Sequence, residues 1–355
     1  MSKVVQTAVV GVTGYAGGEL ARLLLHHPRL KGAPPVFAGR VDEKDAARGG
    51  VPLEEIHPQL ADNNGSRSLK MEPFSWERLA ERGVEVLFLA TPHEQSREWV
   101  PDALKHGLRV VDLSGAWRLT EAKNRAVYAF GDEGSEVAVK TQTQAVYGMP
   151  ELHRKEIAGA KLVANPGCYA TSVILAVRPL VAAGIVDLSH GIVADAKSGV
   201  SGAGKAPTAK THYMYAADNL SAYAVFGHRH TGELLEQIGV GNADIVFTPH
   251  LLPIPRGIMS TIYLRFKNTQ TRDSVAEIYR TFFAGSPMVR LYEHALPQIQ
   301  YSVRTNFADI GFQVSSDGKR AVIVSCLDNL LKGASGQAVQ NMNVMLGWGE
   351  AEGLA

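Results

Sequence analysis

The feature that most constrains the fold lies near the start of the chain, where a short apolar segment runs directly into a glycine-rich turn. Val4 to Val12 is a valine-rich run of the kind that forms a buried strand of a parallel sheet. Gly11, Gly14 and Gly17 follow, and leucines then recur at helical spacing between Glu19 and His27. A strand, a tight turn and a helix in this order predict the first unit of an α/β domain.

Glycine at these three positions has a specific physical use. The backbone can turn tightly, can approach a pyrophosphate closely, and can direct a helix N-terminus at that anion. Glycine spacing alone does not separate such a site from an ordinary tight turn, so both interpretations stay open on the glycines alone. The position between a strand and a helix favours the dinucleotide site.

The second predicted strand is Val36 to Ala38. The residues that follow it indicate which cofactor is bound. An NAD site usually places Asp or Glu there to bind the ribose 2′-hydroxyl. Here Gly39 and Arg40 follow the strand, and a guanidinium suits the 2′-phosphate of NADP through its charge and bidentate geometry. We therefore expect NADP, with a solvated surface arginine as the alternative interpretation of Arg40.

The alternation of strands and helices continues in the first half of the chain and changes in the second. Helices are predicted at 75–82 and 95–106, and strands at 84–90 and 109–113. After a helix that begins at Cys168, strands are separated by longer loops, with one clear helix, Asp273 to Phe283, among them and a final helix at the C-terminal end.

This pattern predicts an α/β chain with two domains. The first is a Rossmann-type, doubly wound parallel sheet over residues 1–165 that binds NADP and is completed by the C-terminal helical segment 328–355. The second, over residues 166–327, is an α+β domain with a mixed sheet; the family resemblance set out below implies that it is the catalytic and oligomerisation domain.

Composition excludes several other classes of protein. The 36 Lys+Arg nearly balance the 35 Asp+Glu, which gives a net charge of +1 and no indication of nucleic-acid binding. No basic region followed by an apolar run opens the sequence, and no apolar stretch reaches the roughly 20 residues of a membrane span. Two cysteines cannot form a disulfide framework. We expect a cytoplasmic protein with a small-molecule substrate and no nucleic-acid or membrane partner.

A second strand, turn and helix carries a cysteine. The strand-like segment 161–164 meets a turn at Pro166 and Gly167, and Cys168 falls at the start of an apolar helix. The N–H groups and dipole of a helix N-terminus stabilise a thiolate, and the same groups can hold an oxyanion formed by attack on a carbonyl. Cys168 is therefore a candidate nucleophile, whereas Cys326, inside an apolar strand, is expected to be a core thiol.

Cysteine chemistry of this kind needs a group that manages protons. His228 and His230 lie together between Gly227 and Glu233, and His228 could protonate a developing alkoxide because imidazole titrates near neutrality. Glu233 could orient a histidine, and a pair of solvated loop histidines is the alternative interpretation. No metal is expected, because the pair offers two nitrogen ligands and no nearby Cys or Asp completes a tetrahedral set.

Taken together, these segments resemble the N-acetyl-γ-glutamyl-phosphate reductase family over nearly the whole chain. The segments that carry the resemblance are Gly11–Leu20, Phe88–Ser96, Val111–Leu119, Tyr147–Glu151, Asn165–Thr171, Ser198–Gly204, Gly227–Glu233 and Asp328–Ala338. Departures from the family pattern occur at Thr91, Glu94, Gly115, Ala116, Trp117 and Gly232. The wider family includes aspartate-semialdehyde dehydrogenase, which shares the chemistry.

The resemblance implies a set of site residues, with Cys168 as the nucleophile and His228 as the acid and base. The implied cofactor contacts are Gly11, Thr13, Gly14, Tyr15, Ala16, Gly17, Arg40, Pro92, Ser198, Gly199 and Asn329. The implied substrate contacts are Arg118, Ser201, His230 and Glu233. For Arg118, a surface ion pair is the alternative interpretation.

The implied reaction is the NADPH-dependent reduction of N-acetyl-L-glutamyl 5-phosphate to N-acetyl-L-glutamate 5-semialdehyde, the third step of arginine biosynthesis. It would proceed with release of phosphate through a thioester on Cys168, in a homotetramer. The nearest alternatives are an aspartate-semialdehyde dehydrogenase and a lysine-pathway acyl-phosphate reductase. A Cys–His acyl transferase or hydrolase without a redox cofactor, and a non-catalytic nucleotide sensor, are alternatives from other classes.

Overall fold

The computed structural model describes residues 4–61 and 69–354, and the chain divides into two compact units. The first unit comprises Met1–Arg118, Phe130–Asn165 and Ser335–Ala355, and the second comprises Leu119–Ala129 and Pro166–Ala334. Two segments therefore fall differently from the domain boundaries expected from the sequence. Residues 119–129 and 328–334 group with the second unit rather than with the first.

The strands of the described residues belong to two β-sheets. In chain order the strands are β1 (Gln6–Val10), β2 (Val36–Gly39), β3 (Val51–Pro52), β4 (Lys70–Pro73), β5 (Val84–Leu89), β6 (Arg109–Asp112), β7 (Ala145–Tyr147), β8 (Leu162–Ala164), β9 (Ile192–Gly199), β10 (Ser221–Ala222), β11 (Ile245–Leu252), β12 (Ile258–Arg265), β13 (Val289–Tyr292), β14 (Ala308–Val314) and β15 (Arg320–Leu327).

Helices connect most of these strands. In chain order they are α1 (Tyr15–Leu25), α2 (Glu43–Ala47), α3 (Leu53–Ile56), α4 (Trp76–Glu81), α5 (His93–Lys105), α6 (Ala122–Arg125), α7 (Glu136–Gln142), α8 (Pro150–Gly159), α9 (Cys168–Ala182), α10 (Tyr213–Ala216), α11 (Thr231–Ile238), α12 (Arg272–Phe282), α13 (Ile299–Ser302) and α14 (Gly336–Met345).

The first unit is built on an eight-stranded sheet with the order β3-β4-β2-β1-β5-β6-β8-β7. All neighbouring strands are parallel except β3 and β4. Because β1 lies between β2 and β5, the strand order reverses there, and ligands of such sheets bind outside the carboxyl ends of the strands at this point. The C-terminal helix α14 returns to pack against α1, α8 and β6 of this unit, so the Rossmann-type prediction is confirmed.

The second unit is built on a seven-stranded mixed sheet with the order β10-β11-β9-β12-β15-β14-β13. The pairs β9/β11 and β13/β14 are parallel and the other pairs are antiparallel. Helix α9 packs across the centre of this sheet, and α11 and α12 pack against α9. The predicted α+β fold with a mixed sheet is thus confirmed.

One expectation for this unit was wrong, because α12 is not its one clear helix. The eight residues Thr231–Ile238 also form a helix, α11, which buries Leu234 and Ile238. The signal in the sequence is weak because Gly232 and the polar residues before it interrupt the apolar spacing in a short segment.

Among the described residues, no helix is both long enough and apolar enough to cross a membrane. Within the same part of the chain, no group of three or more His, Cys, Asp or Glu side chains is placed to hold a metal ion.

Candidate active site

The cofactor turn, defined here as Gly11 to Gly17, joins β1 to α1 through unusually close backbone contacts. Gly11 has a φ of +92°, and a Cβ on it would overlap with the carbonyl group of Ala90. A Cβ on Gly17 would overlap with the carbonyl oxygen of Gly11 and lie 2.7 Å from the Cα of Val12. Glycine is therefore required at both ends of the turn by the backbone itself.

The residues around this turn fit a dinucleotide. Helix α1 begins at Tyr15 without a side-chain cap, which leaves its N-terminus suited to an anion. Arg40 follows β2, is exposed, and makes no ion pair with any described residue. Thr91 follows β5, and its buried hydroxyl oxygen has no hydrogen-bond partner within the described ranges. Strands β1, β2 and β5 are neighbours in the sheet. At their carboxyl ends lie, respectively, the glycine-rich turn, the exposed guanidinium of Arg40 and the hydroxyl of Thr91, where ligands of such sheets bind.

The other predicted cofactor contacts of the first unit lie at the same ends of the strands. Thr13 and Tyr15 are exposed within the cofactor turn, and Ala16 is half-buried in the first turn of α1. Pro92 is exposed and caps the N-terminus of α5, directly after β5. Their contacts with a cofactor stay a prediction.

The candidate nucleophile occupies the first position of a long helix. Helix α9 begins at Cys168, and its N-cap, Gly167, provides no side-chain hydrogen bond. The Cys168 side chain is half-buried. A Cβ on Gly333 would lie only 2.7 Å from the Cβ of Cys168, so the absence of a side chain at 333 leaves the cysteine its space. The placement of Cys168 at a helix N-terminus agrees with the sequence analysis.

His230 and Glu233, both in the segment Gly227–Glu233, hold the turn that precedes Cys168. The backbone N–H of Gly167 donates a hydrogen bond of 2.9 Å to Oε2 of Glu233, whose side chain is completely buried. The imidazole of His230 lies against Gly167 so closely that a Cβ there would overlap with the ring. Glu233 and His230 therefore position this turn, and a direct contact of either residue with substrate stays a prediction.

His228 lies in a cluster of aromatic rings that includes Tyr169, the residue after Cys168. Burial, and then the charge of Arg229, lower the pKa of His228 to about 4. Its Nδ1 accepts the backbone N–H of His230 at 3.1 Å, so the proton of the neutral ring is on Nε2. The rings within 6 Å of its centroid are Tyr169 at 5.6 Å, Tyr223 at 5.5 Å, Phe247 at 5.5 Å and His230 at 4.7 Å.

Two tyrosines link this cluster to Cys168. Tyr169, the residue after the cysteine, donates its hydroxyl to the carbonyl oxygen of His250 at 2.6 Å. Burial raises the pKa of Tyr223 to about 12, and its electrostatic interaction with Cys168 contributes in the same direction. The sequence analysis assigned no role to Tyr223 or Phe247. The position of Tyr223 five residues before His228 was the one local signal, whereas Phe247 comes from a different strand.

Arg118 is buried, so its alternative interpretation as a surface ion pair is wrong. Its guanidinium donates to the carbonyl oxygen of Asn165 at 2.7 Å and to that of Leu113 at 2.8 Å. Because Asn165 begins the segment that leads to Cys168, Arg118 ties the end of β6 to this segment. A contact between Arg118 and substrate stays a prediction.

The remaining predicted site residues form a network within the second unit. Asn329 donates from Nδ2 to the hydroxyl of Ser201 at 2.9 Å and accepts the backbone N–H of Gly257 at 2.8 Å. Ser198 is buried, and a Cβ on Gly199 would lie 2.7 Å from the backbone nitrogen of Arg256. The structure thus brings Ser201 and Asn329 together, while the cofactor and substrate contacts of these residues stay predictions.

The second cysteine behaves as expected for a core thiol. Cys326 is completely buried in β15, and burial raises the pKa of its thiol to about 12.

The comparisons with known proteins first define the class. The chain matches the family model of the semialdehyde dehydrogenase NAD-binding domain over residues 6–160 and that of the semialdehyde dehydrogenase dimerisation domain over residues 168–329. A solved structure of aspartate semialdehyde dehydrogenase II from Vibrio cholerae, complexed with ASA, has a TM-score of 0.69 at 17% identity, covering 97% of this chain and 99% of that chain. Aspartate semialdehyde dehydrogenase with NADP from Candida albicans has a TM-score of 0.64 at 15% identity, with coverage of 97% and 99%. At these identities the likeness shows the fold alone. The class is that of nicotinamide-dinucleotide oxidoreductases with a semialdehyde dehydrogenase fold.

Relatives of higher identity then define the family. The N-acetyl-gamma-glutamyl-phosphate reductase of Methanocella arvoryzae is 42% identical over 348 residues, which are 98% of this chain and 96% of that relative. The protein of the same name from Desulfotalea psychrophila is 41% identical over 356 residues, with 99% and 98% covered. The chain belongs to the N-acetyl-γ-glutamyl-phosphate reductase family, and the resemblance recognised in the sequence is confirmed.

Proposed function

We propose that this protein reduces N-acetyl-L-glutamyl 5-phosphate to N-acetyl-L-glutamate 5-semialdehyde with NADPH and releases phosphate, the third step of arginine biosynthesis. The observation that carries the proposal is the half-buried Cys168 at the first position of α9, next to a turn held by Glu233. This is where a helix favours a thiolate. The names of the relatives supply the substrate.

The thiolate of Cys168 attacks the acyl carbon of the substrate. A C–S bond forms, the bond from carbon to the phosphate oxygen breaks, and phosphate leaves with the bonding electron pair. NADPH held at the cofactor turn would supply the hydride that reduces the carbonyl carbon of the resulting thioester. The C–S bond then breaks, the aldehyde leaves, and the thiolate is restored.

His228 stabilises the oxygen that becomes negative when the thioester is reduced. With its pKa at about 4, the ring is neutral near pH 7, and the Nδ1 contact with His230 keeps its proton on Nε2. A neutral imidazole can donate this hydrogen bond to an oxyanion without itself being ionised. Because the thiolate is regenerated when the aldehyde leaves, the alkoxide needs only transient stabilisation.

Arg118 and His230 are the proposed contacts for the anionic groups of the substrate, together with Ser201. A guanidinium binds carboxylate or phosphate in a bidentate manner. Glu233 acts through the turn that it holds, because its buried carboxylate accepts the N–H of Gly167.

We expect NADP rather than NAD because Arg40, and not an acidic residue, follows β2, where dinucleotide-binding sheets usually hold the 2′ group. Arg40→Ala should raise the Kd for NADPH about tenfold and leave the Kd for NADH unchanged, since a hydrogen bond to a charged group contributes roughly 1.5–3 kcal/mol. Fluorescence titration of both cofactors measures this. Arg48→Ala is the matched control, since Arg48 is an exposed arginine of the same unit that pairs with Asp45. Equal loss for both cofactors would contradict the proposed specificity.

The reaction is tested by NADPH oxidation with N-acetyl-γ-glutamyl phosphate as the sole acceptor. We expect rapid turnover with this substrate and little with aspartyl phosphate or with the longer acyl phosphates of lysine pathways. A preference for aspartyl phosphate would reject the proposed substrate and retain the chemistry. Failure of NADPH to bind would reject the redox reaction altogether.

We also propose that the protein is a homotetramer located in the cytoplasm. In this assembly, a second copy of the chain covers the open face of the seven-stranded sheet. Helix α9 covers one face, while Val193, Val246 and Tyr263 are exposed on strands β9, β11 and β12. The family model for this part of the chain is that of a dimerisation domain. Light scattering should give a tetramer for the wild type and a smaller species for Tyr263→Glu. A monomeric wild type would contradict this proposal.

A further inference from the structure

A histidine that the reaction does not use lies against the cofactor turn. His57 follows α3, is buried, and places its Nε2 2.6 Å from the carbonyl oxygen of Val12, 45 residues earlier in the chain. A carbonyl oxygen only accepts hydrogen bonds, so Nε2 carries the proton and donates it. Gln59 lies 3.5 Å from Nδ1, the acceptor of the same tautomer.

The packing of this ring also explains a glycine that the dinucleotide pattern does not require. Gly18 comes after the three glycines of the turn, and a Cβ on it would lie 2.5 Å from Cε1 and 2.8 Å from Nε2 of His57. Any side chain at 18 would therefore displace the imidazole from Val12. His57 and Gly18 form a matched pair.

The hydrogen bond fixes the orientation of one peptide group of the turn. The peptide that joins Val12 to Thr13 is planar and trans, so a carbonyl held toward His57 sets the direction of the Thr13 N–H to the opposite side. The other end of the turn is held in a similar way, because the hydroxyl of Ser335 donates to the carbonyl oxygen of Ala16 at 2.7 Å. Two side chains from distant segments of the first unit thus hold the turn at carbonyl oxygens.

We propose that His57 is a positioning residue for cofactor binding, which holds the Val12 carbonyl and thereby pre-shapes the turn between β1 and α1 for the pyrophosphate of the dinucleotide. His57 does not itself contact the cofactor. The inference rests on the nicotinamide cofactor of the proposed function. A turn shaped before binding loses less conformational freedom when the ligand arrives.

The test measures the Kd for NADPH by fluorescence titration of the full-length protein. His57→Ala should raise this Kd about 3- to 10-fold, the usual effect of one hydrogen bond, and should change kcat at saturating NADPH by less than about twofold. His57→Gln should restore most of the affinity, because its amide can donate from nearly the same position as Nε2.

His27→Ala is the matched control for a purely structural role. His27 is also a buried histidine of the first unit, but its Nε2 contacts Asn343 rather than the cofactor turn. We expect His27→Ala to lower the Tm and to leave the Kd for NADPH unchanged. If His57→Ala likewise lowers only the Tm, the positioning role is rejected.

Gly18→Ala provides a second test that leaves His57 in place, should His57→Ala not fold. The added methyl group should displace the ring and raise the Kd for NADPH as His57→Ala does. In the double variant the methyl group no longer meets a ring, so the two effects should not add. Full additivity, or an unchanged Kd in Gly18→Ala, would overturn the proposal. A failure of the proposed NADP preference would be seen separately, because the wild type would then bind NADH more tightly than NADPH.

Discussion

The chain contains two corners in which a parallel strand ends in a tight turn and a helix begins, and they are built differently. In the cofactor turn between β1 and α1, glycines let backbone approach backbone, and side chains from His57 and Ser335 hold carbonyl oxygens. In the turn between β8 and α9, which we call the nucleophile turn and define as Asn165 to Cys168, the Glu233 carboxylate accepts the N–H of Gly167 and α9 begins with the thiol of Cys168.

In the proposed function, one local motif serves two kinds of chemistry. Both turns present a helix N-terminus, which favours negative charge. The glycines of the cofactor turn have no side chains, so a negatively charged ligand can approach the backbone. The nucleophile turn places a sulfur of the protein at the same position instead. The first three predictions below test whether the two turns act separately, and the fourth concerns His228.

The largest effect should come from Cys168→Ser, which removes the proposed nucleophile and leaves the cofactor turn unchanged. Reductase activity should fall roughly 10³- to 10⁶-fold, as expected when a covalent nucleophile is lost. NADPH should bind with its wild-type Kd, measured by fluorescence titration. Cys326→Ala is the control and should retain most activity, because Cys326 lies in the core. Near wild-type turnover in Cys168→Ser would end the covalent mechanism.

The next largest effect should come from Gly17→Ala, since the new methyl group would overlap with the backbone of Gly11. The turn must open, so the Kd for NADPH should rise roughly 10- to 100-fold, in line with 1–3 kcal/mol for overpacking. Gly14→Ala is the matched control for folding, because its methyl group would meet only the Gly11 oxygen at 3.8 Å. Differential scanning calorimetry should show a lower Tm for Gly17→Ala alone. Equal Tm values for the two variants would refute this explanation of Gly17.

A smaller effect is expected from Gly333→Ala, in which a methyl group would press on the Cβ of Cys168. We expect kcat to fall about tenfold while the Kd for NADPH stays constant, because the side chain that moves is that of the proposed nucleophile. The rate of thiol alkylation at Cys168 should change in parallel. A change in NADPH affinity with unchanged kcat would show that the two turns are coupled.

The smallest effect concerns the pH dependence of stability. Burial keeps the pKa of His228 at about 4 in the folded protein, whereas an ordinary histidine titrates at about 6.5. Between these values the unfolded chain binds the extra proton, so the free energy of unfolding should decrease as the pH falls from about 6.5 toward 4.

His228→Gln should remove this part of the loss, about 1 kcal/mol at about pH 5 once solvent screening is included. Urea denaturation of both proteins at neutral and acidic pH measures the difference. Buried His27, whose pKa is also lowered, is present in both and cancels in the comparison. Parallel stability curves for the two proteins would show that His228 does not carry the effect.

Much of both turns could be predicted from the sequence, because their determinants are local. The strand at β1, the glycines after it and the start of α9 at Cys168 are all set by neighbouring residues and by short-range periodicity. Helix α11 was missed because its apolar face is short and follows a polar segment. The ring of Phe247 beside His228 could not be predicted, since that contact joins separate elements of the second unit.

By itself, the sequence determined the fold class, the two strand-turn-helix corners and the identity of the candidate nucleophile, since each depends on residues that are close together in the chain. Only the tertiary structure decided what holds these corners in place. Glu233 reaches Gly167 across 66 residues, and His57 reaches Val12 across 45. Such contacts depend on how distant segments pack, and no local pattern of residues encodes that packing.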